Sequence, residues 1–265
     1  MNPRTLFSNS VRLEYEGQIA RLVIMREEMN NAIDQDTRMA LMEALDAIED
    51  TADFKVLVIE GEGEDTFSVG LDVGELATLT APEVRDLAER ARQLHERIAN
   101  FRLPTVAAIR GACTGAGLEL ALHCDIRFAR DDARFGLPGV NIGLVSGGGS
   151  LARLAALIGA GPARALAMTG GIISAERAFM LGLITNVLGD DDFDEGITGL
   201  AQHISGLSSA AVQSSKQLLN EAMNTPSTEM GLRGVEAFVD CFEAGDAQEQ
   251  LARVYGGPLP DVTVH

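Results

Sequence analysis

Positive charge is scarce in this chain. Lys and Arg total 21 against 39 Asp and Glu, a formal net charge of −18. A surface of that sign repels nucleic acid and anionic membranes, and an anionic ligand must find a local basic group. Cysteine is scarce too: Cys113, Cys124 and Cys241 are odd in number and lack C-x-x-C spacing. That points away from a disulfide framework or a zinc site and toward buried, reduced thiols. Only four histidines occur and no G-x-S-x-G elbow accompanies them, so a hydrolytic Ser or Cys triad is hard to assemble. No apolar run reaches the roughly 18 residues that span a bilayer, and no apolar h-region follows Met1 to Thr5. The expected compartment is therefore cytoplasmic, with no membrane partner. Low-complexity tracts and long disordered linkers are also missing.

What is present is core-forming material: 46% of 265 residues are hydrophobic, enough for one large domain or a main domain with a small appendage. Val11 to Tyr15 and Ile19 to Met25 read as two strands of a hairpin across Glu16-Gly17-Gln18. Asp34 is placed to cap a helix in which Leu41, Ala44, Leu45 and Ile48 recur at helical spacing. Phe54 to Ile59 and Pro104 to Ile109 are near-continuous apolar runs of strand length, as in a sheet covered on both faces. A long amphipathic helix from Ala81 to Phe101 separates them. Further on, Gly115 to His123 reads as helix, Asp125 to Ala129 and Ala133 to Gly136 as extended, and Leu151, Leu154 and Leu157 as one helix face. From Asp191 onward the pattern is helical, including Ala210 to Met223 and Glu229 to Phe242, with no strand expected. The alternation predicts an α/β core with a partly parallel sheet over residues 1–195 and an appended helical region over 196–265.

Two glycine-bearing turns stand out, Phe67-Ser68-Val69-Gly70-Leu71-Asp72 and Gly115-Ala116-Gly117-Leu118-Glu119. Such turns let backbone N–H groups converge on one ligand atom. Ala116 begins a helix, where N–H groups lack intrahelical acceptors and the dipole adds positive potential. Glu119 follows three residues later, about one turn along, and its apolar neighbours Leu118, Leu120, Ala121 and Leu122 disfavour the ionised form. A preorganised oxyanion cradle beside one proton carrier is the chemistry this spacing suits. His123 lies at i+4 from Glu119 and could share its face, or be a packed core histidine. Asp125 reads as a structural polar contact. The Thr114-Gly115-Ala116-Gly117 run lies well inside the chain without a G-x-G-x-x-G, so dinucleotide binding is not indicated.

These motifs resemble those of the crotonase, or enoyl-CoA hydratase/isomerase, superfamily. Its F-x-A-G-x-D signature matches Phe67 to Asp72, and its G-x-x-x-G-x-G-x-E-L-A-x-x-C-D signature matches Gly111 to Asp125, with mild departures at Val69 and Ala116. The stretches Phe135 to Val145 and Met168 to Ile184 are similar to its F-G-x-P-E-x-x-x-G and L-T-G … S-A-x-x-A … G-L-V segments, and the likeness runs from about Val11 to Tyr255. The resemblance implies an α/β spiral of repeated ββα units (ClpP/crotonase-like) with a C-terminal helical trimerisation region, assembled as a homotrimer or dimer of trimers. It implies the Leu71 and Ala116 N–H groups as oxyanion donors and Glu119 as acid/base on an acyl-CoA thioester, with no cofactor beyond that substrate and no metal.

The resemblance also implies substrate contacts at Val69, Gly70, Asp72 and Gly115 in the turns, at Gly139 and Asn141 after Pro138, at Arg26 and Asn31 of an early loop, and at Lys216. The chain departs from the pattern at Gly139, where hydratases of this family carry a second glutamate, and at Glu28 and Gly74, where relatives often place lysines. One carboxylate still suffices to shuttle a proton between two carbons. Asn141, Ser146 or Asp72 could supply a missing polar group, or could be a loop hydrogen bonder, an N-cap and a turn acceptor respectively. Met29, Leu76, Leu79 and Phe101 are expected in an apolar pocket wall. Alternatives are a non-catalytic acyl-CoA-binding homologue and a member acting on a non-CoA carbonyl compound.

Overall fold

In the computed structural model, which describes residues 4–51, 53–222 and 227–243, strands and helices alternate along most of the chain. The strands are β1 (Arg4–Phe7), β2 (Val11–Glu16), β3 (Ile19–Ile24), β4 (Val56–Gly61), β5 (Thr66–Ser68), β6 (Thr105–Ile109), β7 (Ala112–Thr114), β8 (Ile126–Arg130), β9 (Arg134–Gly136), β10 (Ile172–Ser174) and β11 (Asn186–Leu188). The α-helices are α1 (Gln35–Glu49), α2 (Val73–Leu76), α3 (Ala81–Ala99), α4 (Ala116–His123), α5 (Ser150–Ile158), α6 (Ala160–Thr169), α7 (Ala175–Met180), α8 (Phe193–Ser205), α9 (Ser209–Ala222) and α10 (Ser227–Glu243).

The strands form a seven-stranded sheet in the order β1-β2-β3-β4-β6-β8-β11 and a four-stranded sheet in the order β10-β9-β7-β5. A repeat is visible in those orders. Each of the pairs β4/β5, β6/β7 and β8/β9 sends its first strand to the large sheet and its second to the small one, and each is followed by helix. The first strands pair parallel with one another, as do the second. Every residue of β6 is buried and β4 is buried through Ile59, which explains their unbroken apolar sequence.

Local chemistry sets the boundaries. The expected hairpin is β2 with β3, in register from Val11 opposite Ile24 to Glu16 opposite Ile19. Asp34 caps α1 by accepting from the Thr37 N–H at 2.8 Å, and α1 buries Leu41, Ala44, Leu45 and Ile48. Each such Leu or Ile side chain contributes roughly 1.5–3 kcal/mol through burial. Helix α4 is buried along its length from Gly117 to His123, with Leu118, Leu120, Ala121 and Leu122 supplying most of its buried surface and Glu119 and His123 the polar exceptions.

Strands β1, β5, β7, β10 and β11 were not expected from periodicity. All are three or four residues long, too short for an alternating pattern to register. From Asp191 on, the described residues contain helix and no strand, although residues 223–226 and 244–265 of the expected C-terminal region lie outside the described residues.

The chain divides into two compact units, residues 1–201 and 202–265. The first holds both sheets. In the second, α9 and α10 pack against each other and are tied by an Arg233 to Glu221 ion pair at 2.7 Å. Helix α10 leaves Leu232, Val235, Phe238, Val239 and Phe242 exposed. Lys216 lies on α9 in this unit.

Candidate active site

The end of β5 and the start of α4 meet through glycine. Gly70 has φ of +103°, and a Cβ placed there would stand 2.6 Å from the Ala116 nitrogen. Gly117 is held closer still, because a Cβ on it would stand 2.3 Å from the Ser68 carbonyl oxygen. No other residue type permits this approach.

The direction of the two N–H groups follows from their neighbours. The Gly70 carbonyl accepts from the Ile33 N–H at 2.7 Å. In a trans peptide C=O and N–H point oppositely, so the Leu71 N–H faces away from Ile33. The Gly115 carbonyl accepts from the Glu119 N–H at 3.0 Å, so the Ala116 N–H points back out of the helix start. Leu71, Gly115 and Ala116 line one cavity of about 290 Å³ together with Val69, Glu119, Gly139, Asn141 and Ser146. Among the described residues neither the Leu71 nor the Ala116 N–H has an acceptor.

Glu119 is 8% exposed. Its Oε2 accepts from the Ser150 hydroxyl at 2.9 Å. Burial pushes its carboxyl up to about 7, against the opposing pull of the Ser150 and Ser146 hydroxyls and the Gly147 N–H, which favour the charged form. Glu119 is the single titratable side chain among the residues that line this cavity.

His123 does not form a dyad with that carboxylate. Its Nδ1 donates to the Glu119 main-chain carbonyl at 2.7 Å, and its ring stacks on His95 with centroids 4.8 Å apart. Asp125 accepts from the Thr105 N–H at 2.7 Å and from the Thr105 hydroxyl, the structural contact expected of it. Cys113 and Cys124 are buried thiols, whereas Cys241 is partly exposed.

Of the expected substrate contacts, Val69, Gly115, Gly139 and Asn141 line the cavity, and Gly70 holds the donor turn. The side chains of Asp72, Arg26 and Asn31 do not line it and are engaged elsewhere. Asp72 caps α2, accepting from the Gly74 and Glu75 N–H groups at 2.9 and 3.1 Å. Its other oxygen takes the Arg26 guanidinium at 2.9 Å, so burial is outweighed and its carboxyl is held below the usual range. Arg26 also bonds Asp34 and the Ala32 carbonyl. Asn31 is fully buried, its amide bonding the Glu62 and Thr66 carbonyls and the Arg26 N–H. These three side chains are spent on shaping the loop beside the donor turn.

Other expectations need correction. Ser146 is no N-cap, since α5 begins at Ser150 behind a left-handed Gly149. Of the expected pocket wall only Leu76 lines the cavity; Phe101 is in the core and Met29 is half exposed on the 3₁₀ turn. The apolar wall comes instead from Val73, Ile142, Leu144 and Val145. Ser150 and His95 are the site neighbours that sequence reasoning missed. Ser150 is 31 positions from Glu119 and no spacing rule connects them, whereas His95 lies on the buried stripe of α3 between Leu94 and Ile98, a position that helical periodicity could have picked out.

No helix among the described residues is long and apolar enough to cross a membrane, and no group of three or more His, Cys, Asp or Glu among them could hold a metal ion.

Comparison with known proteins follows the same lines. The family model described as Enoyl-CoA hydratase/isomerase matches residues 14–254. The crotonyl-CoA hydratase of Syntrophomonas wolfei is 32% identical over 242 residues, 91% of this chain and 93% of that protein. The peroxisomal Delta(3,5)-Delta(2,4)-dienoyl-CoA isomerase of Arabidopsis thaliana is 31% identical over 235 residues, 84% of each. Among solved structures, an enoyl-CoA hydratase from Bacillus anthracis superposes with a TM-score of 0.90 at 27% identity, covering 93% of this chain and 96% of that one.

Proposed function

The chain belongs to the enoyl-CoA hydratase/isomerase family and is a crotonase-fold enzyme of that type; from that premise we propose that it moves a proton along an enoyl-CoA thioester. The substrate carbonyl oxygen lies between the Leu71 and Ala116 N–H groups, and Glu119 is the single acid/base. Two fixed donors aimed where charge develops lower the barrier to an enolate by several kcal/mol. Glu119, at about 7, is poised to take a proton and give it back near neutral pH. The observation that carries this reading is that one titratable side chain, and no second carboxylate, shares the cavity with the two unpartnered N–H groups.

One carboxylate completes a double-bond isomerisation. Glu119 removes a proton from C2 of a 3-enoyl thioester, the electron pair spreads over a dienolate whose oxygen the N–H groups hold, and the same proton returns at C4. The product is the conjugated 2-enoyl thioester, with Glu119 restored. The reaction is redox-neutral and calls for no cofactor beyond the coenzyme A of the substrate. Hydration of a 2-enoyl thioester is the second reading, favoured by likeness to a crotonyl-CoA hydratase, with Ser146 in the cavity as the added polar group. The exposed apolar stripe on α10 supports a trimer or dimer of trimers, measurable by sedimentation, and the cytoplasm is the proposed compartment.

Incubation with 3-enoyl-CoA and with crotonyl-CoA, each followed by mass spectrometry in D₂O, tests the proposal. The expected result is conversion of 3-enoyl to 2-enoyl product faster than formation of 3-hydroxyacyl product. Hydration without isomerisation selects the second reading, and the absence of any product or α-proton exchange points to a binding protein.

A further inference from the structure

The anchor of the Glu119 carboxylate comes from outside both glycine turns. Ser150 is fully buried and opens α5, and its own N–H is held by the Gly147 carbonyl at 3.2 Å. Its hydroxyl has one hydrogen to give, and gives it to Glu119 Oε2 at 2.9 Å. The terminal torsion of a glutamate is broad and nearly two-fold, so an unanchored carboxyl exchanges its two oxygens and presents either to a substrate. We propose that Ser150 is a positioning residue for proton transfer, holding Oε2 as an acceptor in both protonation states so that Glu119 takes and returns the proton through Oε1. The proposal rests on Glu119 being the proton carrier argued above.

The surroundings leave this bond a large share of the control. Helix α4 packs against α3, α5, β5 and β7. The titratable groups those elements and its own turn contribute nearby are His95 and Glu96 of α3, Arg153 of α5, Cys113 of β7 and His123, with Arg127 of β8 behind them. Burial holds both imidazoles neutral, pushed down to about 3 at His95 and about 4 at His123, and pushes the Cys113 thiol up. Strand β5, Thr66-Phe67-Ser68, contributes no titratable group. Glu119 therefore has its charge supported chiefly by hydrogen bonds, those of Ser150, Ser146 and Gly147.

The test compares wild type with Ser150→Ala and Ser150→Cys by two readouts. One is the pH profile of α-proton exchange of butyryl-CoA in D₂O, which reports proton transfer whether the natural reaction is isomerisation or hydration. The other is the ¹³C titration of the Glu119 carboxyl in ligand-free protein. Removing a donor to the charged form raises the carboxyl pKa. In Ser150→Ala both midpoints are expected to move up by about one pH unit. On the plateau above them kcat falls about tenfold while KM stays within about twofold. Ser150→Cys, near in size with a weaker donor, shows the same changes at smaller size and serves should the alanine variant fail to fold. An active wild type whose variants keep both midpoints and kcat overturns the Ser150 proposal alone. A wild type that exchanges no proton overturns the functional reading, and this proposal with it.

Discussion

His123 donates from Nδ1 to the Glu119 main-chain carbonyl at 2.7 Å while its ring face lies against His95. The bond ties the last turn of α4 to itself, and the stack ties α4 to α3. Neither imidazole reaches the carboxylate. Both are buried, and among the described residues the Nδ1 of His95 has no hydrogen-bond partner.

That pair makes the fold sensitive to acid. Burial depresses His95 from 6.5 to about 3, so the unfolded chain binds protons more readily between those values. Stability is present above 6.5 and is lost as pH falls toward 3, by about 3 kcal/mol near pH 4 from this group. His95→Phe is expected to flatten the fall in Tm between pH 6.5 and 4, read by differential scanning fluorimetry. Parallel curves for the two proteins would show that the stack does not carry the acid sensitivity.

Glu119 contributes with the opposite sign. Its carboxyl is raised from 4.5 to about 7, so its contribution is complete below 4.5 and is lost as pH rises through 7, by up to about 3 kcal/mol. Glu119→Gln keeps an acceptor for Ser150 and removes the charge. The variant is expected to match wild type in Tm at pH 4 and exceed it at pH 8. Turnover falls by about 10²–10⁴-fold, with acyl-CoA affinity within about tenfold. An unchanged rate assigns proton transfer to another group.

Gly70→Ala separates donor geometry from backbone strain. A Cβ at this position crowds the Ala116 nitrogen at 2.6 Å, where the substrate oxygen is to be held, and kcat is expected to fall by about 10²–10³-fold. Gly17→Ala is the control. Gly17 also has positive φ, +56°, but a Cβ there meets nothing within 4 Å, so it lowers Tm and leaves activity intact. Equal activity in the two variants would remove the Ala116 N–H from the mechanism.

Much of this arrangement was legible in the residues. Leu41, Ala44, Leu45 and Ile48 announced α1 by spacing, and Val56 to Ile59 announced a doubly covered strand by composition. The two glycine turns and Glu119 could be placed together because helix geometry sets the distance from Ala116 to Glu119. Legibility failed where contact is long-range. Arg26, Asn31 and Asp72 carry side chains suited to a ligand, yet each finds its partners within the folded loops. Ser150 is ordinary in sequence, and only the packing of α5 on α4 brings its hydroxyl to the carboxylate. The short strands β5 and β7 carry the turns themselves, but three residues are too few to declare a period.

The alternation of strands between sheets has a consequence for how such a pocket can exist at all. One donor follows the small-sheet strand of one ββα unit and the other opens the helix of the next, with the acid on that same helix. A solitary unit would own half a cradle and bind nothing. Reactivity here is a product of adjacency: it emerges only when a second copy of the unit stacks in register beside the first, and a slip of that register would part the halves while leaving each intact.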